Sequence, residues 1–186
     1  MTRTLLRVIA GRFKGRRLEA PTWEGIRPTS DKLRETLFNI LAPRIEGARV
    51  VDGFAGTGAI GIEALSRGAR HVTFVERDRR AAALIAANLA RCGIEEGYTI
   101  ECGDVAPVLR RAPAAAAFDL VLLDPPYDAD PDMVTRALAA SADRLTPGGL
   151  LVLERATRRE PALPAPLERV RDVPSGDSTL TFVRVR

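Results

Sequence analysis

Asp124-Pro125-Pro126-Tyr127 follows the apolar run Phe118-Asp119-Leu120-Val121-Leu122-Leu123. Such a run bounded by turn formers reads as a buried strand. The two prolines must end it, because neither donates a ladder hydrogen bond and each holds φ near about −65°. A carboxylate, two rigid residues and an aromatic ring are thereby fixed at the carboxyl end of a central strand, the edge where open α/β sheets bind ligands. Asp124 and the Pro125 carbonyl can accept hydrogen bonds from an exocyclic amine, and the Tyr127 ring can stack on a planar base. Taken alone, four residues could equally close a loop, with Asp124 as its cap. The weight rests on a second motif upstream.

Gly56-x-Gly58-x-x-Gly61 matches the dinucleotide fingerprint, with Glu76 where a ribose-binding acid belongs. A nicotinamide or flavin enzyme therefore competes, as does a purely structural use of the glycines in helix–strand packing. Three acids favour another nucleoside. Asp52, at the strand end before the loop, can meet an amine and would repel a pyrophosphate. Glu76 can accept from both ribose hydroxyls, and Asp104, ending the third strand, from an adenine amine. A ligand with an adenosine and an amine but no phosphate is S-adenosylmethionine.

The elements that would position these residues alternate in kind. Leu5–Ala10 and Arg16–Ala20 form an expected hairpin around Gly11–Gly15. Thr29 or Ser30 caps a helix to about Ala42, its apolar face made by Leu33, Leu37, Phe38 and Leu41, with Pro43 and Gly47 closing it. Strands are expected at 49–52, 71–76, 98–101, 118–123 and 148–153. Helices fall between them, ending near Gly68, Cys92, Arg111 and Leu145, and a closing hairpin pairs 167–172 with 179–185. This predicts an α/β, Rossmann-like, mostly parallel sheet with helices on both faces. Residues 1–47 form an N-terminal hairpin-plus-helix extension and 48–186 the main domain.

The formal charge of +4 is uneven, since residues 1–49 hold eleven Arg and Lys against five Asp and Glu. A basic front end on a near-neutral domain suggests a polyanion partner, although an arginine-rich composition alone could produce it. The expected RNA contacts are Arg12, Lys14, Arg16 and Arg17 in the hairpin, with Arg27, Lys32 and Arg34 at the start of the first helix. A solvated helix face is the competing explanation for the last three. One histidine and two cysteines provide neither a zinc set nor a disulfide framework. No run is long and apolar enough to span a membrane, and no metal is expected. Met1–Arg17 lacks the apolar core of a signal peptide, so the expected location is the cytoplasm. His71, at a strand start, is expected to be structural.

Asp52-Gly-Phe-Ala-Gly-Thr-Gly58, Val75-Glu76-Arg77-Asp78, Gly103-Asp104 and Asp124-Pro-Pro-Tyr127 resemble the successive motifs of class I methyltransferases that modify exocyclic amines. Gly11-Arg-Phe-Lys-Gly-Arg-Arg-Leu18, Arg27-Pro-Thr-Ser-Asp31, Arg34-Glu-Thr-Leu-Phe-Asn39 and Glu63-Ala-Leu-Ser-Arg-Gly-Ala69 narrow the resemblance to the RsmD family of bacterial 16S rRNA guanine-N2 methyltransferases. The likeness runs from about Val8 to the Gly176-Asp177-Ser178 turn. It implies a seven-stranded sheet and methyl transfer from S-adenosylmethionine to N2 of a specific guanine, of the guanine-966 type, within an assembling 30S subunit, by a monomer. The residues it implies are Asp124, Pro125, Pro126 and Tyr127 at the reaction, and Asp52, Phe54, Ala55, Gly56, Gly58, Glu76, Arg77, Gly103, Asp104 and Val105 at the cofactor. Gly53 departs from the family, which more often has a larger side chain there, and the expected effect is looser packing beside the cofactor. An amine methyltransferase acting on adenine N6 of DNA and a non-catalytic RNA-binding assembly factor remain the alternatives.

Overall fold

Five short apolar runs become the parallel strands β1 (Arg49–Gly53), β2 (His71–Glu76), β3 (Tyr98–Cys102), β4 (Phe118–Leu123) and β5 (Leu145–Ala156). The antiparallel β6 (Leu167–Ser175) and β7 (Ser178–Val185) complete one seven-stranded sheet in the order β3-β2-β1-β4-β5-β7-β6. This is a computed structural model, and it describes residues 6–23, 30–113 and 116–186. The continuous Val/Leu runs of β1 and β4 are buried from both sides, as central parallel strands must be. Among the described residues no helix is long and apolar enough to cross a membrane.

Alternate strand residues feed two apolar clusters. On one face Val50, Leu120, Leu122 and Val152 pack with α1 (Asp31–Ile45), α2 (Ala59–Ser66) and α3 (Arg79–Arg91). On the other, Val51, Val121, Leu123 and Leu151 pack with α4 (Val105–Arg111) and α5 (Pro131–Ala142). The chain winds outward from β1 through α2 and α3, then returns through α4 to place β4 on the opposite side of β1. That reversal between β1 and β4 opens a crevice at the carboxyl ends of the strands.

The hairpin at the N-terminus docks into this fold. Val8 N–H bonds the Arg16 carbonyl at 2.9 Å and Leu18 N–H the Leu6 carbonyl at 2.8 Å, with Arg7 and Arg17 bridged antiparallel. Leu6, Val8 and Leu18 enter the same cluster as α1. Fully buried Glu63 of α2 accepts Ile9 N–H at 2.7 Å and Ala10 N–H at 3.0 Å, while the Ser66 hydroxyl accepts Phe13 N–H at 2.9 Å. Buried Asn88 of α3 clamps Glu19 N–H at 2.7 Å and the Thr57 carbonyl at 3.0 Å, tying the segment after the hairpin to the glycine loop.

Several boundaries differ from expectation for identifiable reasons. Ser30 does cap α1, accepting Leu33 N–H at 3.2 Å, but the helix continues through Pro43 to Ile45. Asn39, whose carbonyl loses its partner at Pro43, is exposed, while buried Ile45 anchors the extra turn. α5 stops at Ala142 rather than Leu145: Arg144 N–H turns back to the Ser141 carbonyl at 3.0 Å, and the Arg144 carbonyl accepts Phe118 N–H of β4 at 2.8 Å. Leu145 then pairs with Phe118 and begins β5, and a register shift after Phe118 absorbs the following turn. β6 runs to Ser175 despite Pro174, which an edge strand tolerates. At the Gly176–Asp177 turn into β7, Gly176 supplies the positive φ of 61°.

Candidate active site

A cleft of about 860 Å³ lies along the strand ends. Its floor is the loop from β1 to α2, where the bulky Phe54 takes φ 62°, a conformation that costs energy and is sustained only by surrounding constraints. Those constraints are visible. Ala55 N–H bonds the Val75 carbonyl at 3.0 Å, Gly58 N–H the Ala55 carbonyl at 2.7 Å, and Gly56 N–H the Glu76 carboxylate at 2.8 Å. The second Glu76 oxygen accepts Asp78 N–H at 2.8 Å, so one buried side chain sets both the glycine loop and the entry to α3. Each carboxylate oxygen retains acceptor capacity toward the cleft.

Asp52 is placed differently from expectation. Its carboxylate is buried behind the loop, does not line the cleft, and accepts Gly61 N–H in the first turn of α2 at 2.8 Å. Burial raises its pKa well above the ordinary carboxylate range, the charges of Asp124 and Glu76 push the same way, and the Gly61 N–H opposes them. Gly58 also lies outside the lining. Gly61 has no room for a side chain, since a Cβ would sit 2.2 Å from the Phe74 ring and 2.9 Å from Asp52 Oδ2. Gly53 brings no looseness: a Cβ there would meet Leu123 Cδ2 at 2.5 Å, so Leu123 already fills the space that the missing side chain leaves.

Phe54, Ala55, Gly56, Glu76, Arg77, Gly103, Asp104 and Val105 line one part of the cleft, and Asp124, Pro125, Pro126 and Tyr127 line another. Asp104 starts α4 without spending its side chain on a capping bond. The Asp124–Tyr127 turn is fastened by Asp124 N–H to the Gly53 carbonyl at 3.2 Å and Ala129 N–H to the Pro126 carbonyl at 2.9 Å. The Tyr127 hydroxyl hydrogen-bonds the Ser178 hydroxyl, which reaches Glu154 Oε1 at 3.3 Å.

Of the basic residues expected at RNA, Arg12, Lys14, Arg16 and Arg17 are exposed on the hairpin, and Lys32 is exposed on α1. Arg34 is a correction: it is fully buried, with Nη2 donating to Asp31 at 2.7 Å and to the Arg7 carbonyl at 2.8 Å. It fastens the hairpin to α1 and presents nothing to a polyanion. Arg27 lies outside the described residues, as does Thr29. Sequence reasoning missed Trp23, Asp31, Leu33, Met133, Glu154 and the hairpin residues Ser175, Asp177 and Ser178, all of which line the cleft. For Glu154 a signal existed: Leu150–Leu153 followed by an acid repeats the pattern of Leu120–Leu123 followed by Asp124. The hairpin residues have no local signature, because only strand pairing brings them to the site.

The donor set suits S-adenosylmethionine better than a dinucleotide. A pyrophosphate would seek the amides at the α2 N-terminus, but the Gly61 amide there is taken by a carboxylate. The acids at the ends of β2 and β3 line the cleft, where they could accept from ribose hydroxyls and an exocyclic amine. Sheet order, glycine loop and this row of acids define a class I S-adenosylmethionine-dependent methyltransferase.

Comparison with known proteins narrows the class. A family model described as conserved hypothetical protein 95 matches residues 6–184. The ribosomal RNA small subunit methyltransferase D of Haemophilus influenzae is 38% identical over 151 residues, covering 80% of this chain and 78% of that protein. The protein of the same name in Escherichia coli is 41% identical over 127 residues, 66% of this chain and 60% of its own. The solved structure of Escherichia coli yhhF superposes with a TM-score of 0.84 at 30% identity, covering 98% of each chain. The chain belongs to this family, the RsmD family of methyltransferases.

Proposed function

We propose that the chain methylates the exocyclic N2 of one guanine in 16S rRNA, of the guanine-966 type, within an assembling small subunit. The observation that carries this reading is that the Asp124–Tyr127 turn shares one cleft with Glu76 and Asp104. An amine held by the turn therefore faces a cofactor held by the acids. Relatives named for small-subunit rRNA methylation support ribosomal RNA as the substrate class.

The bound cofactor supplies an electrophilic methyl on a positively charged sulfur, so the protein's task is to prepare the nucleophile. A guanine amine is poor because its lone pair is delocalised into the ring. Asp124 and the Pro125 carbonyl accept its two N–H bonds and direct the lone pair toward the methyl. Tyr127 stacks on the extruded base, an interaction worth about 1–3 kcal/mol. Holding the reacting atoms about 3–3.5 Å apart in line then supplies much of the acceleration. Asp124 or solvent takes the proton released as the C–N bond forms.

The exposed hairpin arginines and lysine bind the phosphate backbone, making residues 1–47 the RNA-contacting extension of a monomeric, cytoplasmic enzyme. The test is tritiated methyl transfer onto small subunits from cells lacking this protein, with mapping of the labelled nucleotide. Label on N2 of a single guanine is expected. Label on adenine N6, or none, would overturn the reading.

A further inference from the structure

The second acid at the reacting end of the cleft has no part in the chemistry so far. Leu122 pairs with Val152 and Leu123 with Leu153, so the next step along the parallel strands sets Glu154 beside Asp124. Both continue the strand parity of residues in one apolar cluster, Leu120 and Leu122 on β4 and Leu150 and Val152 on β5. Glu154 also pairs with Leu180 of β7, and Ser178 lies on the same face two residues from Leu180. Asp124, Glu154 and Ser178 thus form a row across β4, β5 and β7, roofed by Tyr127 through its hydroxyl bond to Ser178.

Glu154 is only 7% exposed yet lines the cleft. A buried carboxylate is costly unless it is hydrogen-bonded. The 3.3 Å bond from Ser178 engages one oxygen and fixes the carboxylate relative to the Tyr127 ring without exhausting the acceptor sites of a carboxylate. Guanine presents N1–H adjacent to its N2 amine, two donors in one edge, whereas adenine presents an acceptor at N1.

We propose that Glu154 is the specificity-determining residue of this site, accepting the guanine N1–H while Asp124 and the Pro125 carbonyl hold the N2 amine. This rests on the guanine-N2 reading above. Adenine offered to the same row would set its N1 lone pair against a carboxylate oxygen, and a site built for a donor rejects a substrate lacking it strongly. Ser178 is a positioning residue, acting through Glu154 and Tyr127.

The test uses small subunits reconstituted with 16S rRNA carrying either guanine or 2-aminopurine at the mapped target nucleotide. 2-Aminopurine keeps the exocyclic amine but has an unprotonated N1. Wild-type protein should favour guanine by at least about tenfold in kcat/KM. Glu154→Gln, whose amide can donate to that N1, should shrink the ratio by about tenfold or invert it, with S-adenosylhomocysteine affinity measured alongside to confirm an intact site. Equal use of both bases by wild type, or an unmoved ratio in a folded Glu154→Gln, would overturn the proposal. If the variant fails to fold, the wild-type ratio decides alone. Absence of transfer to guanine by wild type would instead refute the function on which the inference rests.

Discussion

Asp124 and Asp52 show how two aspartates at neighbouring strand ends acquire different work. Asp124 lines the cleft at the end of β4, whereas Asp52 is sealed behind the glycine loop on a backbone amide. Asp124→Ala should reduce methyl transfer by at least about 100-fold, the scale expected on removing a positioned catalytic group. S-adenosylhomocysteine affinity by calorimetry should change little, and retained turnover would contradict the assigned role. Asp52 gives a pH prediction. Its folded-state pKa is raised by burial and by Asp124 and Glu76, so the associated stability is complete below the unfolded value of about 3.9 and is lost as pH rises through the folded value. Asp52→Asn removes that dependence. The variant's melting temperature relative to wild type should climb as pH goes from about 4 to 8, and a flat difference would count against the buried charge.

At the scale of elements, the loop between β1 and α2 is held by Glu76 from β2 and Asn88 from α3, and the first turn of α2 behind it by Asp52 from β1. Gly61 is a point where α2 approaches the sheet closely. Gly61→Ala should destabilise the fold by about 1–3 kcal/mol, the usual cost of overpacking, and should weaken cofactor binding because the loop shifts with the helix. Wild-type stability in denaturant melts would contradict the close approach. These elements are largely legible in the sequence, because strand runs, caps and glycine stops are local signals. Glu76 and Asp104 stand out for the same reason, each ending a strand before a helix. Asp52 also ends a strand, yet its direction depends on Gly61 and Phe74, which no local pattern reveals. Arg34 reads as a surface charge because its burial comes from the hairpin folding over α1, a long-range event.

The whole molecule joins a basic hairpin to a methyltransferase core through Glu63, Ser66 and Asn88. This explains the Glu63–Ala69 stretch in physical terms: it is the dock for the hairpin and the C-terminal stop of α2, where Gly68 N–H bonds the Leu65 carbonyl and Ala69 N–H the Ala64 carbonyl. The docking role is not readable from the stretch itself. Replacing Arg12, Lys14, Arg16 and Arg17 together with Gln should weaken RNA binding across sequences. The slope of log affinity against log salt should flatten by about 0.7–0.9 for each phosphate that is no longer neutralised. An unchanged slope would return these exposed charges to plain solvation.

All of this chemistry requires one spatial arrangement, in which a cofactor held by Glu76 and Asp104 points its methyl at the Asp124–Tyr127 turn. A crystal structure with S-adenosylmethionine and a guanine-containing RNA fragment examines that arrangement without intermediaries. The adenosine should lie along Glu76 and Asp104, with the methyl carbon about 3–3.5 Å from the guanine N2 as Asp124 accepts from that amine. A methyl directed away from the turn, or an amine held by other residues, would contradict it.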